Sequence, residues 1–356
     1  MQDTQTKDIQ KALLRQLVGN VYDAQTTRIA MGNRLIACFR ELGIIVGKDP
    51  ESLDLQPQKI GAKHAVASKK NEVDEAEAKE KEEKENNKLL VRILDEYALV
   101  SKTYAEKFDS RGSIVKALKV MDDLTFLKTE FAYNMVSMFG QMMKTEQMML
   151  DLCAKEVKKH PLWDKFFKDV KGCGPLMAAV CIAYLDPYKA RYASSFWKYA
   201  GLDVVLDEKG AHGRSRRDAG MVSYIDKDGK EAQKRGLGYN PFVKTKLIGV
   251  LGSSFLRAGS EATYAKVYYD YKNRLQNRPD CAELRPAVIH RRAIRYAVKM
   301  FLRDLWKVWR ELEGLPVGDD YAVAKLDMEP HHASRNEVTD DDVRAATLRA
   351  MGLGAD

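Results

Sequence analysis

Two stretches of the sequence combine residue types that can bind or attack a phosphate group. The first, KGCGPLMAAV, places Lys171, Gly172 and Gly174 directly before an apolar run, and Lys168 lies just upstream. Glycines leave a turn without side chains, and a helix that begins there offers unpaired backbone N–H groups and a positive dipole end. The pattern predicts a phosphate-binding turn. A packed turn between two buried helices, without a ligand, is the alternative.

The second stretch, AHGRSRRDAG, surrounds a serine with arginines. Ser215 lies between Arg214 on one side and Arg216 and Arg217 on the other. Such arginines can stabilise a scissile phosphate and a phosphoserine intermediate, so Ser215 is the candidate nucleophile, with Ser223 a poorer second choice. A serine in a basic loop that contacts DNA, without a covalent role, is the alternative, and it is favoured because a motif needs structural context.

Further basic residues follow at helical spacing. Lys244 and Lys246 open one predicted helix, and the final helix repeats a cation every fourth residue, at Arg291, Arg295, Lys299 and Arg303. This spacing places the last four on one face, opposite a set of apolar residues that we expect to be buried. A backbone-tracking surface and an ordinary solvated face both fit the repeat.

The charge distribution supports a nucleic-acid partner. The chain of 356 residues has a net charge of +8, yet residues 161–310 alone carry 29 basic against 15 acidic side chains. A positive charge concentrated in one segment is the footprint of a nucleic-acid-binding domain. The five cysteines and six histidines form no CxxC or CxH grouping, which indicates free thiols in a reducing compartment and predicts neither a metal site nor a cofactor.

The elements that must position these residues are mainly helical. We predict N-terminal helices and a loop over 1–70, a helical arm or coiled coil over 71–160, a compact basic domain over 161–314 and an acidic mobile tail over 315–356. Within the arm, methionines of the proline-free stretch 113–158 recur at helical spacing, as in a helical hairpin or a dimerising coiled coil.

The basic domain is predicted to begin with short helices around the glycine-bearing turn. MVSYIDKDGKEAQKRG predicts a small β-hairpin that turns at Asp228 and Gly229. Two long helices follow, over 241–274 and 286–313. The turn and its flanking helices resemble a helix-hairpin-helix.

The order of motifs over about residues 120–312 resembles a known family. After the arm and the turn come SSFWKYAGL, a Gly/Arg-rich loop, GYNPFVKTKLIGVLGSSFLRAG and a basic helix. This order is similar to the carboxy-terminal domain of the DEDD-type insertion-sequence transposases, which use bridge RNAs. The resemblance implies a transposase-like helix-hairpin-helix domain of a mobile element or phage, and it places Ser215 in the loop that carries the family's nucleophile.

The sequence also departs from that family. Residues 1–110 contain no β-rich stretch and no aspartate-bearing apolar strand, although the family begins with an RNase H-like domain whose acidic residues bind Mg²⁺. Mg²⁺ is therefore expected only if a partner supplies acidic ligands. Glycine precedes Ser215 instead of following it, which also differs from the family's order.

These observations predict a DNA-binding protein related to a transposase, which contacts backbone phosphates with limited sequence specificity. An active strand-exchange recombinase with a serine nucleophile is the enzymatic alternative, and a guide-RNA or ribonucleoprotein-binding role is a further one. The arm predicts a homodimer. Because the sequence lacks a signal-peptide pattern and any apolar run of about 18 residues, we expect a cytoplasmic protein without a membrane partner.

Overall fold

The structure, a computed structural model, describes residues 2–44, 68–107, 114–121, 123–207, 210–215, 218–226, 229–281 and 283–318. Over these residues the protein is mainly α-helical, as the sequence predicted, with two small antiparallel hairpins. Most of the loop expected near residues 50–68, and nearly all of the acidic tail, lie outside the described residues. None of the described helices is apolar enough over a sufficient length to cross a membrane.

The chain divides into two compact units. The helical unit contains residues 19–150, and the basic unit contains residues 1–18 together with the chain from 151 onward. Two long helices, α1 (Gln2–Glu41) and α4 (Glu130–Lys158), contribute residues to both units. The sequence predicts a boundary at Pro161, where proline begins a new helix, whereas the division after residue 150 falls inside α4.

The helical unit is completed by α2 (Ser68–Lys107) and the short α3 (Ile114–Val120). Its core is built from large apolar side chains of α1, α2, α4 and the connection before α4, among them Leu35, Ile36, Phe39, Ile93, Val100, Leu127 and Phe139. A stretch without helix separates α3 from α4, so the proline-free segment is not one continuous helix. The carboxylate of Glu96 holds this connection by accepting hydrogen bonds from the backbone N–H groups of Phe126 and Leu127, at 2.8 and 2.7 Å.

Besides its parts of α1 and α4, the basic unit contains seven α-helices and two hairpins among its described residues. The helices are α5 (Pro161–Lys165), α6 (Pro175–Tyr184), α7 (Ala193–Tyr199), α8 (Pro241–Thr245), α9 (Ser253–Arg257), α10 (Thr263–Gln276) and α11 (Pro286–Leu312). A π-helical segment, Lys246–Gly252, joins α8 to α9. α11 packs against α5, α7, α10 and the π-helical segment, and the apolar residues predicted to face the core are buried along it: Ile294, Val298, Phe301, Leu302 and Leu305.

The long helix predicted over 241–274 is not continuous. It ends after Arg257, and Gly259 adopts a φ of +99°, a left-handed conformation that ends a helix and favours glycine. α10 then begins at Thr263. The sequence prediction followed apolar spacing and missed the break, because the spacing resumes beyond the glycine.

Two hairpins lie between α7 and α8. The first pairs β1 (Val204–Asp207) with β2 (Gly210–Gly213) and was not predicted. The second pairs β3 (Gly220–Ile225) with β4 (Glu231–Gly236), as the sequence predicted, and Gly229 in its turn has a φ of +77°.

The first part of α1 belongs to the basic unit through specific polar contacts. Lys11 forms an ion pair with Asp186 at 3.1 Å, and Arg15 donates a hydrogen bond to the carbonyl oxygen of Ala183 at 2.9 Å. Leu14 and Val18, on the same helix, are buried. These contacts join segments of the chain that are far apart in sequence.

Candidate nucleic-acid interface

The turn before α6 leaves the amino-terminal end of that helix uncovered. Gly174 occupies the N-cap position with φ −72° and ψ 171°, and no side chain caps the helix. A Cβ atom placed on Gly174 would meet no other atom within 4 Å. Pro175 begins the helix, which suits its missing N–H. The N–H groups of Met177 and Ala178 both donate to the carbonyl oxygen of Gly174, at 3.0 and 3.1 Å. Because Pro175 has no N–H, the N–H that an anion can reach at this end is that of Leu176.

The neighbouring glycine has a different role. Gly172 has a φ of +90°, and a Cβ atom there would lie 2.8 Å from the carbonyl oxygen of Ser254 and 3.1 Å from Cα of Phe255. The turn is thus packed tightly against the backbone of α9. Lys168 and Lys171 are exposed beside it. Of the two glycines, one permits packing and the other leaves space at the helix end.

A second arrangement surrounds the loop that carries Ser215. The guanidinium of Arg214 donates from Nε and Nη2 to the carboxylate of Asp203, at 3.0 and 2.7 Å. Lys244 donates from Nζ to the carbonyl oxygen of Arg214. Lys244 is held in place because Asn240 caps α8, accepting a hydrogen bond from the backbone N–H of Val243 at 3.1 Å.

Arg295 of α11 reaches the same loop, and Lys299 follows it one turn further along that helix. Arg295 donates from Nη2 to the carbonyl oxygen of Asp203 at 3.2 Å, and it passes so close to Gly213 that a Cβ atom there would lie 2.7 Å from its guanidinium carbon. Lys299 places Nζ 5.2 Å from the ring centre of Trp197, whose indole N–H donates to the backbone carbonyl of Lys299 at 3.0 Å. We call Arg214, Ser215, Lys244, Arg295 and Lys299 the Ser215 cluster.

The cations of this cluster are crowded and partly removed from water. Burial, and then the charge of Arg295, lower the pKa of both Lys244 and Lys299. The pKa of Arg295 is lowered by burial as well. Two carboxylates, Asp203 and Asp218, face four cations, so the cluster has an excess of positive charge. A bound phosphate would offset that excess and restore favourable interactions to the cations.

Asp218 is bound to the serine and to a histidine. Its carboxylate accepts hydrogen bonds from the backbone N–H and the hydroxyl of Ser215, and it lies 3.1 Å from Nε2 of His212. The backbone N–H of Ser215, followed by His212, lowers the pKa of Asp218 to about 2. A carboxylate of such low pKa is a weak general base. The arrangement holds the loop in shape and does little to activate the hydroxyl.

The predicted basic face of α11 is corrected at its last member. Arg303 is buried, with 4% of its surface exposed, and forms an ion pair with Asp304 at 2.9 Å. Arg291 is exposed and donates to the carbonyl oxygen of Ala287 within its own helix. A step of four residues advances about 40° beyond a full turn, so three steps rotate the side chain by roughly 120°. That rotation carries Arg303 into the core.

Lys246 is half-buried, with Nζ 5.4 Å from the ring centre of Phe242. Arg216 and Arg217 lie outside the described residues. Around this loop the sequence predicted only the cations and the serine, so Asp203, Asp218 and His212 were missed. The signal was present, since His212 and Asp218 each lie three positions from Ser215.

Over the part of the chain that the structure describes, no group of three or more His, Cys, Asp or Glu side chains could hold a metal ion. Comparisons with protein-family models, with curated proteins and with solved structures give no match to this chain.

Proposed function

We propose that the protein binds DNA through its backbone phosphates, at the Ser215 cluster and at the open amino-terminal end of α6. The observation that carries the proposal is the gathering of four cations from three separate segments of the chain. Arg214, Lys244 and Arg295 are hydrogen-bonded around one loop, and Lys299 interacts through its charge with Arg295 and Asp203. The order of motifs along the basic unit supports a relationship to transposases of mobile elements or phages. Contacts of this kind position DNA without reading its sequence.

The two contact sites complement each other chemically. At α6 the donor is the backbone N–H of Leu176 together with the helix dipole, and Lys168 and Lys171 lie beside them in the sequence. At the Ser215 cluster the donors are side chains that are partly dehydrated, which strengthens their attraction to an anion. We propose as part of this function that the α6 turn and its flanking helices act as a helix-hairpin-helix.

The test is the salt dependence of binding to a random duplex, measured by fluorescence anisotropy. Affinity should fall steeply as salt rises, because each neutralised phosphate releases a counterion. Lys299→Gln should reduce the slope by about one unit. Lys307→Gln removes the same charge from the same helix, away from the cluster, and should leave the slope almost unchanged. A flat salt response in the parent protein would reject DNA binding, and equal slopes for the two variants would reject the Ser215 cluster as its site.

A second experiment addresses the α6 turn. Lys171→Ala removes an exposed charge beside the turn, and Gly174→Ala adds a methyl group at the open helix end. Both should weaken duplex binding. Unchanged affinity in both would show that the turn is structural only.

The enzymatic alternative is strand exchange with Ser215 as nucleophile. Ser215 lies among cations and beside His212 and Asp218, which is the observation in its favour. The hydroxyl oxygen would form a bond to phosphorus while the P–O bond to one DNA end breaks, and the departing DNA oxygen would take up the proton that Ser215 loses. Acidic residues of another subunit or protein would supply any Mg²⁺ site. A suicide DNA substrate should then give a covalent adduct with the parent protein and none with Ser215→Ala. If the parent protein gives no adduct, this alternative is rejected.

An RNA or ribonucleoprotein role is the other alternative. It is suggested by the family that the sequence resembles, whose members bind guide RNA. Nucleic acid that co-purifies with the protein, treated separately with DNase and RNase, distinguishes the two polymers. Material degraded only by RNase would favour RNA over DNA.

We further propose that the protein forms a homodimer through the helical unit and acts in the cytoplasm. α4 exposes Phe131, Met138 and Met148, with 56%, 54% and 63% of their surfaces accessible, and the first two are seven residues apart, as in a coiled coil. All five cysteines are free thiols, which fits a reducing compartment.

A further inference from the structure

We propose that the hairpin of β3 and β4 is a DNA-reading ribbon that enters the major groove and contacts base edges. The inference rests on the proposed function, because it requires that the Ser215 cluster holds a duplex beside it. It adds a source of sequence preference that phosphate contacts do not provide. We call this hairpin the reading ribbon.

The reading ribbon is exposed on both faces. In the strands Gly220–Ile225 and Glu231–Gly236 no residue is buried, and most are exposed. Two apolar side chains, Met221 and Ile225, each have 66% of their surface accessible. A two-stranded ribbon without a core is only marginally stable by itself, and exposed apolar side chains add nothing to its folding. Their exposure calls for a partner.

One face of the reading ribbon carries the side chains that read bases. The register pairs Met221 with Arg235, Ser223 with Gln233 and Ile225 with Glu231, so these six side chains share one face. Arginine pairs with guanine, glutamine with adenine and a carboxylate with the amino group of cytosine, whereas apolar side chains contact the methyl group of thymine.

The opposite face has a different chemistry. It contains Val222, Tyr224, Ala232 and Lys234, and Nζ of Lys234 lies 4.4 Å from the ring centre of Tyr224. This cation is held over an aromatic ring of its own hairpin. Lys234 and Arg235 are neighbours on β4 and carry the same charge, but they lie on opposite faces of the hairpin.

Both ends of the reading ribbon are anchored at the Ser215 cluster. β3 begins just after Asp218, which binds Ser215, and β4 ends just before Tyr239, whose ring centre lies 4.7 Å from Nζ of Lys244. A duplex whose phosphates are held by the cluster would therefore lie next to the base of the ribbon. No long linker intervenes, so the ribbon is presented to the groove beside those phosphates.

The dimensions favour B-form DNA over double-stranded RNA. Six residues per strand give a ribbon about 20 Å long, and the major groove of B-DNA, about 12 Å wide, admits a two-stranded ribbon. The major groove of A-form RNA is deep and narrow, and side chains cannot read it.

The experiment selects duplexes from a randomised library with the parent protein and then measures affinities for a selected and a scrambled duplex of equal length and charge. The ratio of the two affinities is the readout. Arg235→Ala or Gln233→Ala should each reduce this ratio about tenfold. Lys234→Ala, the control of matched charge on the other face, should weaken both affinities alike and leave the ratio unchanged. Thermal melting of each variant confirms that the fold is intact.

A chemical probe tests the groove without changing the protein. Replacing guanine by 7-deazaguanine in the selected duplex removes a major-groove acceptor, and the parent protein should lose affinity whereas Arg235→Ala should not. The inference is overturned if selection yields no preferred sequence, if Lys234→Ala and Arg235→Ala change the ratio equally, or if a duplex RNA of the selected sequence binds as well as DNA. In each of these cases phosphate binding with its salt dependence can stand, whereas loss of all salt-dependent duplex binding would overturn the proposed function itself.

Discussion

The two glycines of KGCGP should respond very differently to the same substitution. Gly172→Ala introduces a methyl group 2.8 Å from a backbone oxygen of α9, at a residue whose φ is +90°. The left-handed conformation costs an L-residue about 1–2 kcal/mol, and relief of the overlap by backbone movement costs about 1–3 kcal/mol more. We expect Gly172→Ala to lower the free energy of unfolding of the basic unit by about 2–5 kcal/mol.

Gly174→Ala is the matched control. Its φ of −72° is allowed for alanine, and the added methyl group would meet nothing within 4 Å. Loss of a favourable N-cap residue costs about 0.5–1 kcal/mol, and the reduced freedom of the unfolded chain returns about 0.4–1 kcal/mol. The stability should therefore change very little, although the methyl group stands where a phosphate would approach α6.

Urea denaturation followed by tryptophan fluorescence measures both effects. All four tryptophans lie in the basic unit, so the signal reports on the unit that contains both glycines. Gly172→Ala should shift the midpoint to lower urea with little change in the slope. If Gly174→Ala is as destabilising as Gly172→Ala, the assignment of one glycine to packing and the other to ligand access is wrong.

Three further predictions follow from individual contacts. The folded-state pKa of Asp218, about 2, lies below its unfolded value of about 3.9. Its stabilising contribution is therefore present above pH 4 and lost as the pH falls towards 2. An NMR titration of the Asp218 carboxyl group should give a midpoint near the folded-state pKa. Burial raises the pKa of Cys181 to about 12, so a thiol reagent should modify the half-exposed Cys38 in the native protein and Cys181 only after unfolding; early modification of Cys181 would contradict this. If α4 forms the dimer contact, the double substitution Phe131→Glu and Met138→Glu should halve the mass measured by light scattering without lowering the melting temperature, and an unchanged mass would reject that contact.

The fold could be predicted where the apolar periodicity and the turn residues indicate the same element boundaries. The apolar face of α11 and the hairpin around Gly229 were both identified from the sequence, because a long periodic pattern and a turn residue between alternating strands are local signals. The break at Gly259 was missed because an isolated glycine inside a helical pattern is ambiguous until its φ is known. The unpredicted β1–β2 hairpin has Glu208 and Lys209 between its strands, neither of which is a typical turn residue.

The candidate site could be predicted only in part, for a physical reason. Cations at helical spacing indicate a face, but the exact pitch decides which of them stay on the surface, and by Arg303 the rotation had carried the side chain into the core. Asp203 pairs with Arg214 across the ends of the first hairpin, a contact that depends on a strand pairing the sequence did not reveal. The charge count predicted that the site is positively charged, and the tertiary structure determines which residues form it.

The contacts between the start of α1 and the region around Asp186 also determine the order of folding during synthesis. Lys11 and Asp186 are 175 residues apart, a length of chain that a ribosome takes about 10–35 s to add. All of the helical unit, residues 19–150, is synthesised within that interval. Leu14 and Val18, which are buried in the finished protein, therefore stay exposed on the nascent chain after the helical unit has been synthesised. During this interval a chaperone can bind the apolar segment that contains them.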